Sequence, residues 1–367
     1  MKKIGILTFQ NADNYGALLQ AYALKQVLIN QGHVVKILNY CCPKIQAAYR
    51  INIQRNYPLT FIRKLKICIK LLLFLPLWWY VKTKFSFFRK KHLIDTPKYY
   101  SDTIKQVFGY DLFITGSDQV FNPRLTGFDS NYFLAFSSNK TKNVSYAASF
   151  GFGLKDLSEK EKLFIQQNLS HLKCLSVREQ QGAEIIRLLT GRTSQVNIDP
   201  TFLLTKDEWV SLAKLPKVKK PYVLVYLMNE DSNIISFAKK LAHNNNYELL
   251  YISSTLDIKQ RLYNRHITPT PQEWLGLFLK AQYIVTNSFH GLVFSIIFNK
   301  HFFVGNLPKT WPANSRLDNL LGITNLQNRI YTNFTQDYNK PIDWSFVNRC
   351  VGKERQKALN YLQEITH

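Results

Sequence analysis

The sequence predicts an α/β fold: two doubly wound, Rossmann-like domains in series, with a cleft between them. Three observations carry that expectation. The 367 residues exceed what one hydrophobic core usually covers. Short apolar strands alternate with stretches of helical periodicity along most of the chain. The basic segment Lys217-Val-Lys-Lys-Pro221 divides that alternation into two series. With 46% hydrophobic and 20% charged residues the chain has the composition of a folding sequence, which excludes a disordered one.

Lys3-Ile-Gly-Ile-Leu-Thr-Phe9 reads as the first strand and Asn11-Ala-Asp-Asn-Tyr-Gly16 as a polar turn. Helical spacing runs from Ala17 to Leu28, Gln31-Gly32 closes it, and His33–Asn39 is the next strand. One βαβ unit of this kind implies a parallel sheet with a right-handed crossover. A basic, aromatic insertion follows at about residues 44–95. The rhythm resumes with strands Asp111–Thr115, Asn143–Ala148 and Cys174–Arg178, a helix Glu179–Leu189, and Val196-Asn-Ile-Asp-Pro200. The second series begins at Tyr222–Met228. It continues through helix Ile234–His243, strand Glu248–Ile252, helix Pro271–Lys280, strand Tyr283–Thr286, helix Gly291–Phe298 and strand Phe302–Val304. Glu354–Ile365 reads as an amphipathic terminal helix. The expected boundaries are therefore 1–205, 206–345 and a C-terminal segment 346–367. Ligands of such folds bind where the carboxyl ends of both sheets face the cleft.

Five Cys, an odd number without metal-ligand spacing, suggest neither a disulfide framework nor a zinc site, so a reducing, cytoplasmic setting and no metal are expected. Forty-eight Lys+Arg against twenty-four Asp+Glu leave a net charge of +24, which asks for an anionic partner or serves only solubility. The excess is uneven: no acidic residue lies between Asp13 and Asp95. Inside that gap, residues 61–91 place Lys and Arg on both sides of the apolar run Leu71–Val81. The run is too short for a bilayer span of ~20 residues and Pro76 interrupts it. Two readings stand side by side. The segment is an interfacial one meeting an anionic inner membrane, with Phe74, Trp78 and Trp79 at the acyl boundary. Or it packs on the protein's own core with snorkelling lysines. No nucleic-acid-binding module accompanies the charge, so nucleic acid is not an expected partner.

The candidate chemistry sits at strand ends. Asn14-Tyr15-Gly16 opens a helix whose free N–H groups can hold an anion. Gly116-Ser117-Asp118-Gln119 offers a hydroxyl and a carboxylate suited to orienting or deprotonating a hydroxyl, or to capping. Ser149 follows the next strand. Arg178, at the end of another, can grip a carboxylate or phosphate bidentately, or pair with Glu179. In Thr286-Asn-Ser288-Phe-His290-Gly291 a buried strand breaks into an apolar helix, placing an imidazole suited to proton transfer beside a glycine that admits a ligand. Lys309 and Arg316 add cations from a loop beyond the next strand, and the choice between them stays open.

Read together, Asn14-Tyr-Gly-Ala-Leu-Leu-Gln20, Gly116-Ser-Asp-Gln-Val-Phe-Asn-Pro123, Tyr146-Ala-Ala-Ser-Phe-Gly151, Ser176-Val-Arg-Glu179, Asp199-Pro-Thr201 and Ser288-Phe-His-Gly291 resemble the polysaccharide pyruvyl transferase family. The six motifs occur in order, and the resemblance covers roughly residues 3–325. Two positions depart from it: Phe121 stands where Trp is frequent, and Phe289 where Leu, after an Arg, is common, which removes a cation beside His290. The resemblance implies a GT-B-like fold whose terminal helix returns to the first domain. It also implies transfer of an enolpyruvyl-derived group from phosphoenolpyruvate to a sugar of a cell-surface glycan, giving a cyclic ketal. Phosphoenolpyruvate would then be a co-substrate and no cofactor is expected. His290 is the expected general acid, or alternatively the hydroxyl's base and a phosphate binder. Arg178, Arg316 or Lys309, Ser288 and Gly291 are expected at the donor. Asp118, Asn14, Tyr15, Gly16, Ser117, Gln119 and Ser149 are expected toward the acceptor, whose sugar is either polyprenyl-diphosphate-linked or nucleotide-linked. Two competing readings are a nucleotide-sugar glycosyltransferase on the same fold and a non-catalytic protein binding glycan or anionic lipid.

Overall fold

The computed structural model describes residues 1–49, 61–253, 266–305, 314–331 and 340–367. The first sheet is wholly parallel. Its strands β1 (Lys3–Leu7), β2 (Val34–Tyr40), β3 (Ile94–Tyr99), β4 (Leu112–Thr115) and β5 (Asn143–Ser145) lie in the order β3-β2-β1-β4-β5. Isolated parallel bridges, Val144 to Cys174 and Ala148 to Val177, carry the sheet on to the small pair β6 (Ser176–Val177) and β7 (Gln195–Val196). The second sheet repeats the same winding. Strands β8 (Tyr222–Leu227), β9 (Glu248–Ser253), β10 (His266–Ile267), β11 (Tyr283–Thr286) and β12 (His301–Val304) run parallel in the order β10-β9-β8-β11-β12. Each sheet thus reverses direction next to its first strand, at the β1–β4 and β8–β11 boundaries, where crevices form. The sequence reading had no strand at β3 or β10.

Burial explains the sequence texture. All six residues of β8 are buried, as expected for a parallel strand covered on both faces, which is why Tyr222–Leu227 is apolar without alternation. Helix α1 (Tyr15–Asn30) is equally buried around most of its circumference because it lies between the first sheet and the second half. Its Tyr15 stacks on Trp274 at a centroid distance of 5.6 Å, and its Tyr22 meets Trp209 at 5.8 Å. Aromatic side chains therefore pack part of the seam between the two halves. One hydrophobic core runs continuously through both halves.

The insertion forms a long helix, α2 (Phe61–His92), with Pro76 inside it. Its C-terminal half is packed: Phe85 and Phe88 are buried, each stabilising by about 2–3 kcal/mol. Phe85 lies 4.9 Å from the Tyr15 ring, and Asp13 pairs with Lys82 and Arg89, each at 2.7 Å. The terminal helix (Trp344–Thr366) starts ten residues before the amphipathic stretch read from sequence, on an Asp343 cap. It returns to the first half, where the Tyr361 hydroxyl donates to the Ser145 carbonyl at 2.9 Å.

Candidate active site

Parallel strands deliver their carboxyl ends to one edge, and there the two halves meet around a single carboxylate. Asp199 follows β7 and is fully buried. Its Oδ1 accepts from the Thr201 amide at 3.1 Å and the Thr201 hydroxyl at 2.7 Å, capping a short helical turn. Its Oδ2 faces three elements at once. Arg178 Nη1, beyond β6, donates to it at 2.7 Å. The Ser117 hydroxyl, beyond β4, lies at 3.4 Å. His290 Nε2, in helix α3 (Phe289–Ile297) of the second half, lies at 3.6 Å.

The charges around this oxygen set its protonation. Burial acts to raise the Asp199 carboxyl, but the His290 imidazole, Arg178 and the Thr201 donors together hold it well below the usual carboxylate range. Burial also disfavours the Arg178 charge, and Asp199, Asp118 at 3.8 Å and Glu179 at 3.9 Å more than restore it. Arg316, in helix α4 (Asn314–Thr324), is pushed down to about 10 by desolvation and by the like charge of Arg178, so it remains a cation at neutral pH. Phe289 lies under both guanidiniums, 4.4 Å from Arg178 and 5.7 Å from Arg316. The residue that reads in sequence as a lost cation is an aromatic platform for two others.

A cavity opens beside this cluster, lined by Arg178, Asn197, Asp199, Phe289, Arg316 and Glu354 among others. Arg178 Nε and Nη2, Arg316 Nε and His290 Nε2 are buried without a hydrogen-bond partner among the described residues. Buried donors left open in one place form a site that asks for an oxygen-rich anion.

Several residues expected to contact ligand are bound into the walls instead. Ser149 donates its hydroxyl to Glu179 at 2.8 Å, and that carboxylate also takes the Phe150 and Gly151 amides. Ser117 donates to the Ala147 carbonyl at 2.8 Å, Tyr15 to the Pro269 carbonyl at 2.9 Å, and Asn14 caps α1 by accepting from Ala17. Ser288 caps α3 rather than facing the cavity. The face that Gly291 leaves bare is filled by the Thr286 hydroxyl, so it does not admit a ligand there. Asp118 accepts from the Gln119 amide at 2.8 Å. With its amide turned to present oxygen, Gln119 lies 3.2 Å from both terminal nitrogens of Arg316. Lys309 lies outside the described residues. From sequence, Asp199 carried no role although it stood in the Asp-Pro-Thr motif, Glu179 stood only as the alternative partner of Arg178, and Phe289 only as a departure from the family pattern.

The family model for polysaccharide pyruvyl transferase matches residues 14–304, a span holding Arg178, Asp199 and His290. The chain belongs to the polysaccharide pyruvyl transferase family. By sequence, no curated protein matches it. Among solved structures it is similar to UDP-GlcNAc 2-epimerase from Neisseria meningitidis bound to UDP-GlcNAc, at 10% identity and TM-score 0.52, covering 100% of this chain and 99% of the other. It is likewise similar to S. aureus MnaA in its UDP co-structure, at 11% identity and TM-score 0.50, covering 100% and 98%. At these identities the likeness concerns the fold, which is the two-domain GT-B-like arrangement expected of a pyruvyl transferase of this family.

In this pyruvyl transferase family member the candidate site includes a close approach across the seam. Gly16, in the first turn of α1, lies flat against the His290 ring, and a Cβ there would overlap Nδ1. Gly16→Ala should therefore displace the imidazole while favouring the helix itself, since Ala is the better helix former by about 1 kcal/mol. Turnover is expected to fall roughly 100-fold, the scale of an ångström's misplacement of a reacting group, with a melting midpoint close to wild type. Unchanged turnover would show that the position of His290 does not matter.

Proposed function

We propose that the protein transfers the enolpyruvyl-derived group of phosphoenolpyruvate to two hydroxyls of a sugar, in a cell-surface glycan or its polyprenyl-diphosphate-linked precursor, forming a pyruvate ketal. The observation that carries this reading is the pair of buried guanidiniums, Arg178 and Arg316, that line one cavity with hydrogen-bond donors still open, while Asp199 on the same wall has the His290 imidazole 3.6 Å away, in a chain of this family. Phosphoenolpyruvate presents a carboxylate and a phosphate, and Arg178 and Arg316 supply fixed positive charge for both. His290 delivers a proton to the methylene carbon, which becomes the methyl group, and positive charge develops at C2. A sugar hydroxyl attacks C2, and the C2–O bond to phosphate breaks. The second hydroxyl closes the ketal. Of the two hydroxyl protons lost, one restores His290 and the other leaves with phosphate, so the step balances. Asp118, beside Arg178, is assigned to orient the attacking hydroxyl. The scheme needs no cofactor beyond the co-substrate.

Phosphate release with phosphoenolpyruvate and a panel of candidate glycans tests this directly. One phosphate per ketal is expected, and none in the absence of acceptor. Release of UDP from a nucleotide sugar, with phosphoenolpyruvate left intact, would replace the reading by ordinary glycosyl transfer.

A further inference from the structure

The C-terminal half of α2 has two faces of different chemistry. At about 100° per residue, Phe85 and Phe88 point to one side, where both are buried, together with the Arg89 and Lys82 side chains that hold Asp13. Trp79, Tyr80, Phe87, Lys90 and Lys91 fall within an arc of about 120° on the other side, and all five are exposed. The exposure is large for aromatic residues: 66% for Trp79 and 64% for Phe87. An aromatic stripe of this size, flanked by lysines, is not what a solvated helix face needs. It is what a surface needs that inserts rings at the headgroup boundary while ammonium groups meet phosphates.

We infer that this face of α2 docks the protein on an anionic phospholipid bilayer. Charge complementarity selects that occupant. The chain carries +24, and no acidic residue stands between Asp13 and Asp95, so nothing in the segment repels an anionic surface. Among the described residues no helix is long and apolar enough to cross a membrane, so the contact is peripheral. The sequence left membrane contact and self-packing as rivals; α2 does the second with one face and leaves the other face for the first.

The placement gives the contact a purpose, one that rests on the proposed transfer to a lipid-linked acceptor. On its inner face α2 touches Tyr15 through Phe85, and Lys84 donates to the Thr268 carbonyl of the second half. Tyr15 is followed by Gly16, against which His290 lies. A helix seated on the bilayer would thus hold the catalytic seam one helix diameter from the headgroups, where a sugar on a polyprenyl carrier is presented.

Flotation of the full-length protein with phosphatidylcholine vesicles, with and without phosphatidylglycerol, tests the docking without any turnover. Wild type is expected to float with the anionic vesicles and to be released by salt. Trp79→Glu/Phe87→Glu should abolish flotation. Lys90→Gln/Lys91→Gln should weaken partitioning roughly 30-fold, the ratio for two basic residues near an anionic leaflet. These side chains lie outside the core and the cavity, so the melting midpoint and turnover of a water-soluble acceptor should stay at wild-type values in both variants. Equal flotation of wild type and the Glu variant would overturn the proposal. So would concentration-dependent self-association that Trp79→Glu/Phe87→Glu removes, since the face would then be a contact between copies. Because flotation is independent of phosphate release, failure of docking leaves pyruvyl transfer standing, and the reverse also holds.

Discussion

Replacing His290 by Gln is expected to lower kcat for phosphate release by about 10²–10⁴, the usual contribution of a positioned acid or base, with KM for phosphoenolpyruvate changed only a few-fold. Gln keeps a hydrogen-bonding nitrogen near the imidazole Nε2 and so preserves the approach to Asp199, now 3.6 Å. It carries no titrating proton. A fall in kcat alone therefore identifies proton delivery, whereas a large rise in KM with kcat preserved would assign His290 to phosphate binding. The helix that carries the residue does not depend on it: α3 is capped by Ser288 and buried through Leu292, Val293 and Phe294. The variant should consequently melt within a few degrees of wild type, and an unfolded variant would make its lost turnover a matter of folding.

How much of this was legible before the structure depended on whether a property was local. Tyr222–Leu227 and Tyr283–Thr286 announce themselves because parallel strands buried on both faces are unbroken apolar runs. Ile94-Asp-Thr-Pro-Lys-Tyr99 does not. It is an edge strand, half polar, with a proline tolerated only because its outer side pairs with nothing in the sheet. Arg178 and His290 could be picked out because a charged or titratable side chain at a strand's carboxyl end is conspicuous in an apolar stretch. Asp199 could not. An Asp before Pro-Thr reads as a cap, and one oxygen is indeed spent that way. The other oxygen joins Ser117, Arg178 and His290, three elements up to 173 positions apart in numbering, and only the folded sheets bring them together. The serines pose the opposite problem. Ser117, Ser149 and Ser288 have the polarity of ligand contacts, but a buried hydroxyl must find a partner, and the nearest ones are in the protein.

Asp199→Asn should be the most destabilising single change in the site. The buried Arg178 guanidinium loses its 2.7 Å partner and keeps only Asp118 and Glu179, at 3.8 and 3.9 Å. The new amide cannot satisfy both sides: with its oxygen toward Thr201 it points N–H groups at Arg178, and turned around it forfeits the cap. Breaking a buried pair in this way costs about 3–5 kcal/mol, a melting midpoint lower by on the order of 10 °C. The pH dependence separates charge from shape. The Asp199 carboxyl lies well below its unfolded value of about 3.9, so its contribution is fully present above that pH and is lost as pH falls toward the folded value. The stability gap between wild type and Asp199→Asn should accordingly narrow below about pH 4. A gap of constant size across that range would assign the cost to packing. A double-mutant cycle with Arg178→Gln completes the argument, because losses sharing one interaction do not add. The pair of substitutions together should destabilise by clearly less than the sum of the two, and strict additivity would mean that Asp199 and Arg178 do not hold one another across the foot of the cavity.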